Sequence, residues 1–337
     1  MSALGFQLRN EASLENLTTD AMPSSAIEGE TLNPEQVRSS IAKKLGIDAG
    51  GTASINRHVE GIVEMMLDAT QHYDNPLTKD RLFGWHAALF PTGRSGMHAI
   101  TVGGWRLPEA GAMQIVSGAI GREKVHFTTP DAECLDLEMN AFFNWFNNSN
   151  SDDPVVKAAI VHFWLVTTHP FEDGNCRIAR AVADMTLARS DESPQRFFSM
   201  SAQIEQERKE YYANLETCQK GNLDITPWLN WFLSCLGRAI ENAGETLSSV
   251  LHNTQLWETI NQEPVNERPR NIINRLLDNF IGKLTTSKYA KLTSCSPDTA
   301  LRDIQELIRR GILIQNPGGG RSTSYQLAEA DDQSTQK

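Results

Sequence analysis

The residues whose types and spacing could do chemistry lie together between positions 169 and 175. His169 precedes a proline, which disfavours the helical conformation and ends any helix that runs up to it. Asp173 is a carboxylate that can ligate a divalent cation. Gly174 and Asn175 directly precede an apolar-periodic segment, so the first backbone N–H groups of that helix would face an anion. The stretch therefore predicts an anion site beside a base and a cation ligand.

Two arginines extend this pattern into the helix. Arg177 and Arg180 are spaced i and i+3, so they share one side of it. A base, an acid, a phosphate cradle and two arginines together predict a site for a nucleotide triphosphate. The stretch also resembles the Fic family signature, His-x-Phe-x-Asp/Glu-Gly-Asn-Gly-Arg-x-x-Arg. One fixed position departs from it, where Cys176 replaces the second glycine.

The resemblance implies a protein adenylyltransferase, which moves AMP from ATP to a Ser, Thr or Tyr hydroxyl of a target protein or of itself. It implies that His169 is the general base, that Asp173 binds Mg²⁺ and that Phe171 anchors the loop in the core. The nucleotide-binding residues that it implies are Ser117, Gly118, Gly174, Asn175, Cys176, Arg177, Arg180, Tyr212 and Gln219.

A second motif lies near the start of the chain. Residues 24–29 resemble the inhibitory pattern of the same family, Ser/Thr, three residues, Glu, then Gly/Asn, and Pro23 could open a short helix there. Ser24 and Glu28, at i and i+4, would then face the same way. The resemblance implies that Glu28 pairs with Arg180 and inhibits transfer. In some relatives such a glutamate also positions the water that removes AMP, so AMP removal stays open.

A third motif, residues 113–130, contains two strand-like runs around a glycine-containing turn, which predicts a β-hairpin. It resembles the Fic flap. The resemblance implies that this flap holds the target protein by strand addition, in which main-chain hydrogen bonds supply the affinity.

The flanking segments predict a mainly α fold, a Fic-type helical bundle. Asp153 and Pro154 form a helix start, and residues 155–166 are apolar nearly all round, which indicates a buried helix. Residues 201–219 predict another helix, and a long one runs from Thr226 towards Ile260. The predicted domains are an N-terminal helical region, 1–110, and a catalytic core, 111–262.

Composition and charge favour a cytoplasmic protein of about two domains. The chain has 337 residues, 40% of them hydrophobic. We find no membrane-spanning run of about 18 apolar residues and no signal-peptide segment. The five cysteines show no spacing typical of zinc sites or disulfide frameworks, which suits a reducing compartment.

The C-terminal part differs in charge. Residues 269–327 carry nine Lys or Arg against four acids, a net of +5, whereas the remainder has 22 against 38, a net of −16. Three helical segments, two strand-like runs and a Pro-Gly turn resemble a winged helix over 263–327, followed by a disordered tail, 328–337. DNA binding through 269–327 stays open, with Lys288, Thr299, Arg302 and Arg321 as the contacts.

Two alternatives remain at this stage. One is a nucleotide-sensing DNA-binding regulator or complex-forming module with a weakly active Fic domain, and the other is a Fic enzyme that transfers a different group. Three interpretations of Cys176 stay open: it crowds the phosphates and lowers turnover, its thiol ionises readily at the helix start, or the substitution is inert. The sequence identifies neither the target protein nor the oligomeric state, and a homodimer stays open.

Overall fold

The structure of the chain is a computed structural model. It describes residues 6–47, 55–108, 112–117, 122, 124–149, 153–222, 224–260, 266–277, 283–316 and 323–328. The chain divides into two compact units, Met1–Gly244 and Glu245–Lys337. The domain limits proposed from the sequence stay predictions.

Helices dominate the first unit, as the sequence predicts. They are α1 (Phe6–Ala26), α2 (Pro34–Leu45), α3 (Arg57–Gln71), α4 (Lys79–Leu89), α5 (Leu135–Asn148), α6 (Pro154–Thr168), α7 (Asn175–Ser190), α8 (Met200–Gln206), α9 (Arg208–Gln219) and the start of α10 (Thr226–Ile260). Among the described residues of this unit, two antiparallel strand pairs accompany them, β1 (Arg94–Ser95) with β2 (His98–Ala99) and β3 (Gln114–Ser117) with β4 (Lys124–Thr128). Across the described part of the chain, each helix is too short or too polar to cross a lipid bilayer.

Helices α6 and α7 pack against each other at the centre of the unit. Helix α6 begins where the sequence predicts, because Asp153 accepts the N–H groups of Val155 and Val156 at 2.9 and 3.1 Å. It ends at Thr168, so that His169 and the loop that follows emerge from the core. Helix α7 begins at Asn175, one residue after Gly174, whose φ of +81° favours glycine.

Two local predictions about helix limits are wrong. Pro23 does not open a short helix but lies near the end of α1. A proline inside a helix leaves the carbonyl four residues earlier without its partner, and here the Ser199 hydroxyl donates to that carbonyl, Thr19 O, at 3.4 Å. The helix predicted over 201–219 is instead two helices, because Glu207 leaves the helical conformation between them and its carboxylate binds Arg238 through two hydrogen bonds of 2.5 and 2.6 Å.

The predicted hairpin is present. Strands β3 and β4 are antiparallel, and Val116 lies opposite Val125 and Ser117 opposite Lys124. Gly118 and most of the turn between the strands lie outside the described residues.

In its described residues, the second unit contains the end of α10, three further helices and a two-stranded sheet, with a core of its own. The elements after α10 are α11 (Glu267–Leu277), α12 (Thr286–Thr293), α13 (Pro297–Arg309), β5 (Leu313–Gln315) and β6 (Tyr325–Leu327). Leu284 forms a bridge to Tyr325, and Ser296 caps α13 by accepting the Thr299 N–H at 3.2 Å. The Pro-Gly turn, Arg321 and residues 329–337 lie outside the described residues, and the winged-helix assignment stays a prediction.

Candidate functional site

A cavity of about 780 Å³ opens where the flap, the loop before α7 and helix α9 meet. Five of the residues that line it come from the flap, at positions 113–116 and 126, and seven come from the loop that begins at His169 and the first turn of α7, at positions 169 and 172–177. Helix α9 contributes Tyr212 and Gln219, and the N-terminal segment contributes Glu28. The structure therefore brings together residues from all three sequence motifs.

His169 lies at the end of α6 in a left-handed conformation, with φ 49° and ψ 60°. This differs from the extended conformation that a residue before proline favours. Its Nδ1 donates to the Val166 carbonyl oxygen at 3.2 Å, which leaves the lone pair on Nε2 available as a base. Desolvation lowers the pKa of His169 to about 4, so the ring is neutral at physiological pH.

Arg106, a residue that is not part of the signature, stabilises the turn at His169 and Pro170 through hydrogen bonds. Its backbone N–H donates to the Pro170 carbonyl oxygen at 2.9 Å, its Nε donates to the His169 carbonyl oxygen at 2.9 Å, and an Nη donates to Pro130 O. The side chain is buried. Our sequence analysis missed this role, because a single arginine in a loop carries no pattern that reports where it is buried.

The loop between His169 and α7 is held from within by two side chains. Asn175 accepts the Phe171 N–H at 2.9 Å and donates to the Phe171 carbonyl oxygen at 2.8 Å, so its amide shapes the loop. Phe171 is fully buried and stacks on His86 at 4.3 Å between ring centroids. His86 donates from Nε2 to the Asp173 carbonyl oxygen at 3.2 Å and accepts the Gly103 N–H at Nδ1. Burial lowers the pKa of His86 to about 4, which agrees with a neutral ring.

Asp173 presents a carboxylate to the cavity with its side chain 42% exposed. One oxygen accepts from the Ser95 hydroxyl, and the other accepts the Gly174 N–H at 2.5 Å. In the described ranges no group of three or more His, Cys, Asp or Glu side chains could hold a metal ion. A cation here would therefore take one carboxylate and the oxygens of a bound ligand, which is a common way of binding Mg²⁺ beside phosphates.

Glu28 contacts Arg180, the pair that the family resemblance implies. The Glu28 carboxylate lies 2.9 Å from an Nη of Arg180, whose Nε and Nη also donate to the hydroxyl and carbonyl of Ser24 at 3.1 and 2.7 Å. Burial lowers the pKa of Arg180. The charge of Glu28, the groups of Tyr211 and Cys176 and the hydrogen bond to Glu28 together outweigh burial, so the pKa lies above its usual value.

Glu30, two residues further on, binds the other signature arginine, and our sequence analysis missed it. The Glu30 carboxylate accepts from an Nη of Arg177 at 3.0 Å and lies 3.1 Å from His58 Nε2. The guanidinium of Arg177 also lies over the Phe90 ring, 5.1 Å from its centroid. An acid so close to the inhibitory motif is the one sequence signal that could have suggested this contact.

The remaining predicted residues have mixed positions. Tyr212 and Gln219 line the cavity, and Gln219 also donates to the Thr167 hydroxyl at 3.2 Å. Ser117 lies in β3, while Gly118 lies outside the described residues.

Flap and α9 are joined by ion pairs that the sequence did not reveal. Glu216 of α9 lies 2.6 Å from His126 Nδ1 and 3.3 Å from Lys124 Nζ, both on β4. Hydrogen bonds from Lys220 and then His126 lower the pKa of Glu216 to about 2. The pairs hold the flap beside the cavity wall.

Cys176 lies in the first turn of α7 and is half-buried at the cavity. Desolvation, and after it the negative charge of Glu28, raises the pKa of its thiol to about 12. The prediction of a readily ionised thiol is therefore wrong, because the loss of water outweighs the nearby arginines and the helix N-terminus.

Comparison with known proteins gives two family matches. Residues 76–187 match the model of the Fic/DOC family, and residues 1–47 match a domain of unknown function (DUF4172). The chain is 31% identical over 210 residues to protein adenylyltransferase fic-1 from Caenorhabditis elegans. That alignment covers 61% of this chain and 37% of the relative, so the chain spans well under half the length of that relative.

Two solved structures share the fold. A Fic family protein from Desulfovibrio desulfuricans G20 has a TM-score of 0.54 at 20% identity, over 97% of this chain and 89% of that chain. A Fic domain containing signaling protein from Bacteroides thetaiotaomicron VPI-5482 has a TM-score of 0.54 at 22% identity, over 73% of this chain and 92% of that chain. Residues 76–187, which include the signature loop, therefore resemble the Fic/DOC family in sequence, and the chain shares its fold with two solved Fic proteins.

Proposed function

We propose that the chain is a protein adenylyltransferase that transfers AMP from ATP to a hydroxyl group of a protein. The observation that carries the proposal is the neutral His169, whose Nε2 lone pair is available at a cavity that also receives Asp173 and the N-terminus of α7. Names of relatives at about 31% identity support the same activity.

In the proposed reaction, the hydroxyl oxygen of the target attacks the α-phosphorus of ATP. His169 Nε2 takes the hydroxyl proton, the bond from the α-phosphorus to the bridging oxygen breaks, and pyrophosphate leaves. General base catalysis of this kind contributes about 10²- to 10⁴-fold. Because the ring is neutral and its tautomer is fixed by the Val166 carbonyl, no reorientation is needed before proton transfer.

The phosphates would be bound by groups at the start of α7. The first N–H groups of a helix have no acceptor within the helix. They point outward from the helix N-terminus, which is the positive end of the helix dipole. Arg177 and Arg180 would bind the β- and γ-phosphates through charge-assisted hydrogen bonds. Asp173 would hold Mg²⁺, which supplies neutralisation of phosphate charge when bound.

The target protein would dock at the flap. Val116 and Val125 lie opposite each other across β3 and β4, and they are 48% and 41% exposed. An exposed apolar pair next to the cavity suits an extended peptide that adds to the strand edge, where its main chain makes the hydrogen bonds.

We also propose that Glu28 inhibits the transfer. Its carboxylate lines the cavity while it holds Arg180, so the γ-phosphate would have to displace it. Removal of AMP through water positioned by Glu28 is a further activity that the family resemblance leaves open for this site.

Intact-mass spectrometry tests the proposed activity. Purified protein, wild type and Glu28→Gly, is incubated with ATP and Mg²⁺, alone and with candidate targets. We expect one or more mass gains equal to AMP, and none in His169→Ala. A mass gain equal to phosphate would instead indicate transfer of a different group. No mass gain in any sample would contradict the proposed adenylyltransferase activity.

A further inference from the structure

Two acids, separated by one glycine, each contact one arginine of the signature helix. Glu28 lies 2.9 Å from Arg180, and Glu30 lies 3.0 Å from Arg177. Both contacts fasten the N-terminal segment to α7. Only the first involves the inhibitory motif, so the role of the second has to be argued from its own geometry.

The two acids differ in their relation to the cavity. Glu28 lines the cavity, whereas Glu30 is not among the described residues that do, although its partner Arg177 is. Arg177 is 2% exposed at its side chain, while Glu30 is 38% exposed. Glu30 therefore contacts the arginine without filling the space that a ligand would occupy.

His58 holds Glu30 in turn. Its Nδ1 lies 3.1 Å from the Leu89 carbonyl oxygen and its Nε2 lies 3.1 Å from the Glu30 carboxylate. Both partners are acceptors, so both ring nitrogens must carry protons and the ring is an imidazolium. In agreement, the hydrogen bond to Glu30 raises the pKa of His58, and the same bond lowers the pKa of Glu30.

Arg177 is thereby held at several points. One Nη donates to Glu30, another lies 3.8 Å from the Asp173 carboxylate, and the guanidinium covers the Phe90 ring at 5.1 Å from its centroid. A long side chain that is ordered before the ligand arrives loses less conformational entropy on binding. The part of Arg177 that lines the cavity is therefore already oriented to bind a phosphate before the ligand arrives.

We propose that Glu30 is a positioning residue, which orients Arg177 towards a phosphate of the nucleotide and is itself fixed by His58. The inference rests on the proposed function, because it assigns the phosphate to bound ATP. It predicts opposite consequences for two neighbouring acids. Loss of Glu28 removes a competitor of the phosphate, whereas loss of Glu30 releases the arginine that the phosphate needs.

The test compares ATP with AMP, which lacks the β- and γ-phosphates. In a Glu28→Gly background with Mg²⁺, calorimetry measures the Kd of each nucleotide before and after Glu30→Gln. We expect the Kd for ATP to rise about tenfold, the scale of a charge-assisted hydrogen bond, and the Kd for AMP to change less than about twofold. The KM for ATP should rise with it, while kcat changes less. His58→Gln should act in the same direction with a smaller effect.

Glu15→Gln is the matched control. It removes a carboxylate from α1 that lies 3.0 Å from Arg38, in an ion pair on the surface, and it should leave both nucleotide affinities unchanged. Thermal unfolding of each variant checks the fold, and His58→Gln carries the test if Glu30→Gln does not fold.

Four outcomes would overturn the inference. Tighter ATP binding in Glu30→Gln would make Glu30 a second inhibitory residue, unchanged binding would leave it without a role at Arg177, and equal weakening of ATP and AMP would indicate general damage to the site. Absence of ATP binding in the parent variant would also refute it. If ATP binds as expected but no variant transfers AMP, the proposed function fails and the positioning role stands.

Discussion

At the residue scale, His169 combines an uncommon backbone with an altered acidity. Its ring is half-buried at the end of α6, and desolvation lowers its pKa to about 4. A base must be unprotonated to accept a proton, so a lowered pKa extends its working range towards acid. The Val166 carbonyl fixes which nitrogen is free.

The pH dependence of transfer tests this assignment. A histidine with its ordinary pKa of about 6.5 loses activity as the pH falls through 6.5, whereas His169 should stay neutral until the pH approaches about 4. We expect kcat/KM of the Glu28→Gly variant to vary little between about pH 5.5 and 8. Any loss of kcat/KM caused by protonation of His169 should appear only at lower pH. A fall in kcat/KM centred near pH 6.5 would contradict this expectation, if a control reaction that does not use His169 shows no such fall.

The residue scale also shows why Cys176 is hard to interpret from sequence. A position at a helix N-terminus beside an arginine favours a thiolate, and both features are visible in the sequence. The opposing effect, desolvation together with the charge of Glu28, depends on residues that the fold brings close. The pKa therefore moves in the direction opposite to the local prediction.

At the scale of elements, the end of α1 and the segment after it are fastened to α7 through Ser24, Glu28 and Glu30. Glu28→Gly should raise AMP transfer, because the γ-phosphate then meets Arg180 without competition. A buried charge-assisted pair of this kind is worth a few kcal/mol at most, so we expect a rise of about ten- to a thousandfold. Incorporation of labelled AMP into the protein itself measures the rate.

The Arg180→Ala variant tests whether the ion pair between Glu28 and Arg180 inhibits transfer or only stabilises the fold. That variant also frees Glu28 from Arg180, but it removes the partner of the γ-phosphate, so its transfer rate should not rise. If Glu28→Gly leaves the rate unchanged while its melting temperature matches that of the wild type, the pair has no inhibitory role.

Element limits follow from the sequence where their causes are local. Asp153, Pro154 and Gly174 mark the start of α6 and of α7, because caps and left-handed glycines act within a few residues. The break at Glu207 depends on Arg238, which is 31 positions away. The hydrogen bond to the His169 carbonyl oxygen comes from Arg106, which is 63 positions away. No local pattern reports such partners, whereas the signature places six residues at the cavity through their order along the chain, namely His169, Asp173, Gly174, Asn175, Cys176 and Arg177.

At the scale of the whole molecule, the chain joins an acidic part to a basic one. Residues 269–327 have a net charge of +5, and the remainder has −16. If the basic part binds DNA, its affinity should fall steeply with added salt as counterions are released from the duplex. Fluorescence anisotropy of labelled duplexes at about 50 and 200 mM salt measures this.

A matched variant sharpens the test. Lys288→Gln and Arg302→Gln together should weaken binding and reduce the salt slope. Absence of binding to any duplex at low salt would exclude this role and favour a protein partner for the basic part.

The left-handed turn at His169 also determines what an inactive variant can report. Histidine and asparagine are several-fold enriched in that conformation, whereas alanine is not. Replacing His169 with alanine therefore alters both the acid–base group and the preference of the backbone that carries it. Asparagine keeps the backbone preference while removing the base, so His169→Asn is the better choice for trapping a complex with ATP and its target in an undistorted loop.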